Sequence, residues 1–129
     1  MAKIGFGVFL VLHGLVHLLY LGQSLRFFEL QPGLAWPDGA WLLNRFWQVE
    51  TVRWVTAVSL IIATVGFVVS GIGLFWQFGW WRQMVVGTAV FSSALYLVLW
   101  DGGWQNLDDK GGVGILLNLA ILFVAYRFP

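Results

Sequence analysis

Apolar residues gather into four long runs along this chain, and the polar positions fall between them. The runs extend from about Ile4 to Leu21, Val52 to Trp76, Met84 to Trp100 and Val113 to Tyr126, and none contains Asp, Glu, Lys or Arg in its interior. A helix needs about 20 apolar residues to cross about 30 Å of hydrocarbon. In lipid the backbone must satisfy its own hydrogen bonds, so runs of this length are helices. The pattern predicts an all-α, integral membrane four-helix bundle in one domain, with spans at about 4–22, 52–76, 84–100 and 112–127. The fourth run is short, and the glycines before it and the aromatic end after it extend it. Lys3 precedes the first run as it would in a secretory signal. The apolar core is long, however, and no small-x-small cleavage site follows, so the run reads as a span.

The connections differ in kind. The first, about 30 residues, is long for a bundle and is broken by Pro32, Pro37 and the "PDG" turn at 37–39. Within it "AWLLNRFW" puts Trp41, Leu42, Arg45 and Phe46 at helical spacing, which predicts a short helix on the membrane surface. The second connection, "QFGWWRQ", is tight; the third, "DGGWQNLDDKGG", is polar, glycine-rich and acidic. With four spans, Lys3, Arg82 and Arg127 share one side, while Arg26, Arg45, Arg53, Lys110 and all six acidic residues share the other. Three basic residues against four do not decide the positive-inside rule. The first side is purely basic and its connections are short, which points to cytoplasmic termini. Of the nine tryptophans, Trp36, Trp41, Trp47, Trp54, Trp100 and Trp104 fall on the acidic side and Trp76, Trp80 and Trp81 on the other. Indoles prefer the headgroup level, so these read as aromatic belts.

Composition supports lipid as the solvent. The 129 residues are 60% hydrophobic and 10% charged, against about 45–50% and 25% in an average soluble domain. So small a soluble fold could not hide that much apolar surface. The net charge of +1 and the lack of a basic tract exclude nucleic acid as a natural partner. The absence of cysteine excludes disulfides, thiolate metal sites and cysteine nucleophiles.

In lipid, small residues and interhelical hydrogen bonds, rather than apolarity, bring helices together. The second span carries Thr56, Ser59, Ala63, Gly66, Ser70 and Gly73 at spacings of three and four. The third has Thr88, Ser92 and Tyr96; the fourth has Asn118; the first has His13, His17, Tyr20 and Ser24. Each span thus has one face of polar or small groups, and these faces are expected inside the bundle. The sequences "GFG" at 5–7 and "GIG" at 71–73 lie in apolar helices and read as packing positions, not nucleotide loops.

His13 and His17, the only histidines, stand one helical turn apart on one face. Four readings compete. The first is structural: neutral imidazoles hydrogen-bond to Asn118, Ser92, Thr88 or a backbone carbonyl. The second is a polar pocket for a quinone or lipid, lined by His13, His17, Tyr20, Ser24, Ser92 and Asn118. The third is axial ligation of haem or a chlorophyll magnesium by His17, and by His13 as well. The fourth is a mononuclear metal site, for which two histidines at i and i+4 are a start, but no carboxylate lies in the membrane to add a third protein ligand. Bis-histidine haem would need a second copy or a partner protein, since both imidazoles sit on one helix. The residues between them, Gly-Leu-Val, include no general base, so a metalloprotease motif is excluded.

The segments "HGLVHLL" (13–19), "WW" (80–81), "LVLWD" (97–101) and "LLNLAIL" (116–122) resemble a broad group of small bacterial four-helix membrane proteins described as DoxX-like. The group's first-span pattern Gly-Leu-x-His-Leu falls on Gly14 to Leu18 and marks His17. The insert "GGWQNLDDKGG" and the broken loop at 31–40 depart from it. The group has no settled activity to carry over; some DoxX relatives are tied to quinone-linked sulfur or redox chemistry, which slightly raises the lipophilic-ligand reading and no more. The resulting expectation is a non-enzymatic accessory, scaffold or lipophile-binding subunit of the bacterial inner membrane, joined to other membrane subunits or to copies of itself. The alternative is a haem- or (bacterio)chlorophyll-binding redox or pigment subunit. A transporter or channel is disfavoured, because no charged residue lines any span.

Overall fold

The computed structural model describes residues 2–105 and 107–128. Four α-helices follow the four apolar runs: α1 (Ala2–Ser24), α2 (Val49–Phe75), α3 (Trp81–Leu99) and α4 (Gly112–Arg127). α1, α2 and α3 are long and apolar enough to cross a membrane. The 16 residues of α4, at about 1.5 Å each, span only about 24 Å. α2 and α3 begin three residues before the apolar runs that marked them. α2 begins at Val49, where extended Gln48 precedes it and Glu50 meets the positive end of the helix dipole. α3 begins at Trp81, whose N–H bonds back to the Phe78 carbonyl.

α1 and α2 end alike. Phe27 N–H bonds to the Gly22 carbonyl and Arg26 N–H to that of Gln23; Phe78 and Gln77 repeat this on Gly73 and Leu74. Both are Schellman turns, which place one residue in the left-handed region. Those residues are Arg26 (φ 62°) and Gln77 (φ 56°) rather than glycine. At Arg26 the conformation is held by the guanidinium, which donates to the carbonyls of Gln23, Ala35 and Trp36.

The helices pack in sequence order, α1 on α2, α2 on α3 and α3 on α4. α1 approaches α2 through glycines: a Cβ on Gly71 would stand 2.8 Å from the Gly7 carbonyl oxygen, and one on Gly14 2.9 Å from the Phe67 Cβ. The small-residue stripe of α2 meets α3 instead, with Gly66 against Thr88 and Gly73 against Trp80 and Trp81. Two apolar clusters result. One, around Leu10, Phe67, Val85 and Ile121, lies toward the Lys3 end. The other, around Tyr20, Leu60, Tyr96 and Leu99, lies toward the long first loop.

That loop folds into the bundle end rather than lying flat on it. Leu34, Trp36 and Ala40 are buried in the second cluster. Gln23 is fully buried and holds them: its amide donates to the carbonyls of Leu34 (2.9 Å) and Trp36 (3.1 Å), and its oxygen accepts from Leu30 N–H (2.7 Å). The peptide Trp36–Pro37 is cis. The surface helix expected over 40–47 is reduced to one 3-10 turn, Leu43–Arg45. Contacts at both ends explain it: Ala40 is buried, Trp41 N–H bonds to the Trp100 carbonyl (2.7 Å), and extended Gln48 stops the turn on its other side. Two belt tryptophans are also corrected. Trp36 and Trp81 are buried in the core, whereas Trp41, Trp47, Trp54, Trp76, Trp80 and Trp104 are exposed.

Candidate functional site

A polar layer separates the two apolar clusters, and both histidines are in it. His13 is 5% and His17 1% exposed. His17 Nδ1 lies 2.9 Å from the His13 carbonyl oxygen, an acceptor only, so Nδ1 carries the proton. In the neutral ring Nε2 is then bare, and it accepts from the Ser92 hydroxyl at 2.8 Å. His13 Nε2 donates to the Asn118 side-chain oxygen at 2.8 Å, and the Asn118 amide donates to Ser93 Oγ at 3.1 Å. One network therefore ties α1 to α3 and α4, and its His13–Asn118 bond closes the bundle between its first and last helices.

Aromatic rings enclose the layer. Phe67 stands 4.7 Å from the His13 ring and 5.3 Å from that of His17, centroid to centroid. Phe9 stacks on His13, and Tyr96 tilts over His17 at 5.9 Å. Tyr20 belongs to the next layer, against Tyr96 and Trp36. Ser24 is apart from both, donating to the Arg53 carbonyl at 2.8 Å. Thr88 donates to the Met84 carbonyl of its own helix, not to a histidine. Of the expected set, His13, His17, Ser92 and Asn118 come together; Tyr20 is one ring away, and Ser24 serves a different contact.

This geometry bears on ligation. Both nitrogens of His17 are engaged, and an axial metal bond from Nε2 would require Ser92 to give up its hydrogen bond. His13 offers only Nδ1 outside its bond to Asn118. Among the described residues no three His, Cys, Asp or Glu side chains form a metal-binding group. The layer thus suits a histidine pair held by protein groups better than one held out to a porphyrin or a metal ion.

A second site lies at the loop end, on the outside of α3 and α4. A groove of about 610 Å³ is lined by Trp41, Leu97, Trp100 and Gly102. It shares Leu97 and Trp100 with an adjoining cavity of about 220 Å³, which reaches Tyr96, Trp104, Lys110 and Ile115. Its indole walls are pinned: Trp41 Nε1 donates to the Leu97 carbonyl (2.8 Å) and Trp100 Nε1 to that of Gly103 (2.7 Å). In the adjoining cavity Lys110 pairs with Asp101, its Nζ 2.9 Å from Oδ2 and 3.1 Å from Oδ1. Burial pushes the Asp101 carboxyl up, but the bonds from Lys110 and Gly103 N–H outweigh it and hold the acid below its ordinary range. Sequence reading missed this groove, because its residues come from three separate segments. The available signal was the density of tryptophan around the ends of the third run.

No protein-family model matches the chain, and neither a curated protein nor a solved structure matches it.

Proposed function

We propose that this protein is a small, non-enzymatic bundle of the bacterial cytoplasmic membrane that binds an amphipathic lipophile, a quinone or a lipid, in the tryptophan-walled groove. α4 serves as a fourth span, with both termini cytoplasmic. The bundle acts as an accessory or scaffold subunit beside other membrane subunits or copies of itself. One observation carries the reading: two indoles spend their N–H groups on backbone carbonyls and line a groove, and the cavity beside it reaches Lys110, which pairs with Asp101. Ligand sites are mostly apolar with a few placed polar groups. A flat ring or headgroup would meet Lys110 and Asp101, and a tail would run along Leu97 and Ile115 into the hydrocarbon. The DoxX-like resemblance supports a lipophilic ligand. The family pattern marks His17, but both of its ring nitrogens and His13 Nε2 are already engaged, so the groove rather than the histidine layer is proposed as the site.

The test is mass spectrometry of the organic extract of gently solubilised protein, with binding of a short-chain quinone measured on the same sample. The expected result is an extracted quinone or lipid that is retained by His17→Asn and lost from Leu97→Trp, where the larger ring fills the groove. Retention in Leu97→Trp would overturn the site. A visible spectrum of the same sample tests the haem and chlorophyll alternative: a Soret or near-infrared band that vanishes in His17→Ala would favour the axial ligand.

A further inference from the structure

The opposite end of the bundle has its own cavity. It measures about 350 Å³ and is lined by residues that include Lys3, Gln77, Phe78, Trp81 and Arg82. The ends of α2 and α4 and the starts of α1 and α3 meet there. The basic residues at this end are Lys3, Arg82 and Arg127, and all six acidic residues of the chain lie in or beside the connections at the other end.

Arg82 is built into the wall. Its Nε donates to the Ala125 carbonyl (2.9 Å) and its Nη2 to that of Phe128 (2.6 Å), while the guanidinium lies 4.9 Å from the Trp81 ring centre. These partners fix its position and carry no charge of their own. Among the described residues neither Arg82 nor Lys3 is in an ion pair, whereas Arg26, Arg53 and Lys110 at the other end each face a carboxylate. Gln77 adds amide donors from its left-handed turn position. Exposed Phe78 and Trp80 stack beside it, as rings do at the headgroup level.

We infer that this cavity is a binding site for the phosphate of an anionic phospholipid such as phosphatidylglycerol, held by Lys3 and Arg82. Among the described residues no carboxylate lines the cavity for a lipid amine, so a zwitterionic headgroup gains nothing there over its phosphate alone. Basic residues beside a membrane attract anionic lipids in proportion to their number. Here the two cations border one cavity, and one of them is immobilised before the lipid arrives. The site is independent of the tryptophan groove.

The experiment is native mass spectrometry of the full chain released from micelles holding equal amounts of phosphatidylglycerol and phosphatidylcholine. Thermal melting with phosphatidylglycerol or inorganic phosphate accompanies it. Phosphatidylglycerol should be retained in preference, and Lys3→Gln should cut that preference about fivefold, the worth of one basic residue near an anionic surface. Arg82→Gln should cut it at least as far; since that change also frees two carbonyls of the α4 end, Lys3→Gln decides the outcome. Arg127→Gln, which alters the same surface outside the cavity, should cut the preference less than Lys3→Gln does. Equal retention of the two lipids, no effect of Lys3→Gln, or an equal loss in Arg127→Gln would each overturn the site. Stabilisation by inorganic phosphate equal to that by the lipid would overturn the lipid as its occupant.

Discussion

The imidazole of His17 hangs from the carbonyl of His13, its Nδ1 2.9 Å from that oxygen, and this bond decides which nitrogen faces Ser92. The carbonyl belongs to the preceding helical turn, so the histidine spacing of four sets the tautomer before any other helix is involved. Ser92 can then act only as donor. Nitrogen NMR of the detergent-solubilised protein should show His17 protonated at Nδ1. Ser92→Ala leaves Nε2 buried without a partner and should cost about 1–3 kcal/mol in thermal or denaturant unfolding. An Nε2-protonated His17, or a silent Ser92→Ala, would remove the basis of the network.

His13 and Asn118 make a pair whose value can be separated from the cost of breaking it. Asn118→Leu strands the buried His13 Nε2–H and the bond to Ser93, and should destabilise by about 1–3 kcal/mol. His13→Phe alone strands Asn118 in turn. The double variant His13→Phe/Asn118→Leu removes both partners and should lose less than the two singles combined, because no polar atom of the pair is left unsatisfied. Additive losses would mean that the two side chains do not depend on each other.

The histidine layer was legible because it rests on helical periodicity. His13 and His17 at i and i+4, Ser92 in the middle of its stripe and Asn118 alone in its span could each face only the interior, and four inward polar groups at similar depth must pair. Ser93 was not legible, since it lies one residue off the stripe and enters only through the second functional group of Asn118. The first loop was harder still. Nothing local says that Trp36 turns inward while Trp41 stays at the surface; that follows from Gln23 capturing the Leu34 and Trp36 carbonyls, a long-range choice. The helix expected over 40–47 failed for a related reason, as both ends of the segment are fixed by contacts outside it. Small residues in α2 pointed to close packing but not to which neighbour. The stripe faces α3, while the tightest backbone approach, Gly71 on Gly7, lies on the face toward α1.

That approach makes two glycines behave in opposite ways. At Gly71 a methyl group would stand 2.8 Å from a backbone oxygen, which cannot move without shifting α1. Gly71→Ala should therefore cost about 1–3 kcal/mol, as overpacking does. At Gly87, also helical, a Cβ meets nothing within 4 Å. Gly87→Ala should be neutral or stabilise by up to about 1 kcal/mol, since alanine loses less backbone entropy in a helix. Melting temperatures of the two variants in one detergent check this, and equal shifts would sink the α1–α2 seam.

The first loop is tied down by charge as well as by Gln23, and that part should respond to acid. Asp38 pairs with Arg53 through two bonds, 2.8 and 2.6 Å, and with Arg26 at 3.0 Å. Burial pushes its carboxyl up, but the hydrogen bond from Arg53 and the charges of both arginines outweigh burial and hold it below the ordinary carboxylate range. A carboxyl depressed in the folded state binds its proton more weakly there than in the unfolded chain. Its contribution is therefore complete above the unfolded value of about 3.9 and drains away as pH falls through that value toward the folded one. The side chain is 24% exposed, so the contribution belongs at about 1–2 kcal/mol, the lower part of the range for hydrogen bonds to charged groups. Melting curves from neutral pH down to about pH 3 should show the wild type losing stability below about pH 5, with Asp101 adding to the slope through Lys110. Asp38→Asn should start lower at neutral pH and fall less steeply, so that the two curves converge in acid. Parallel curves would mean that Asp38 does not hold the loop through its charge.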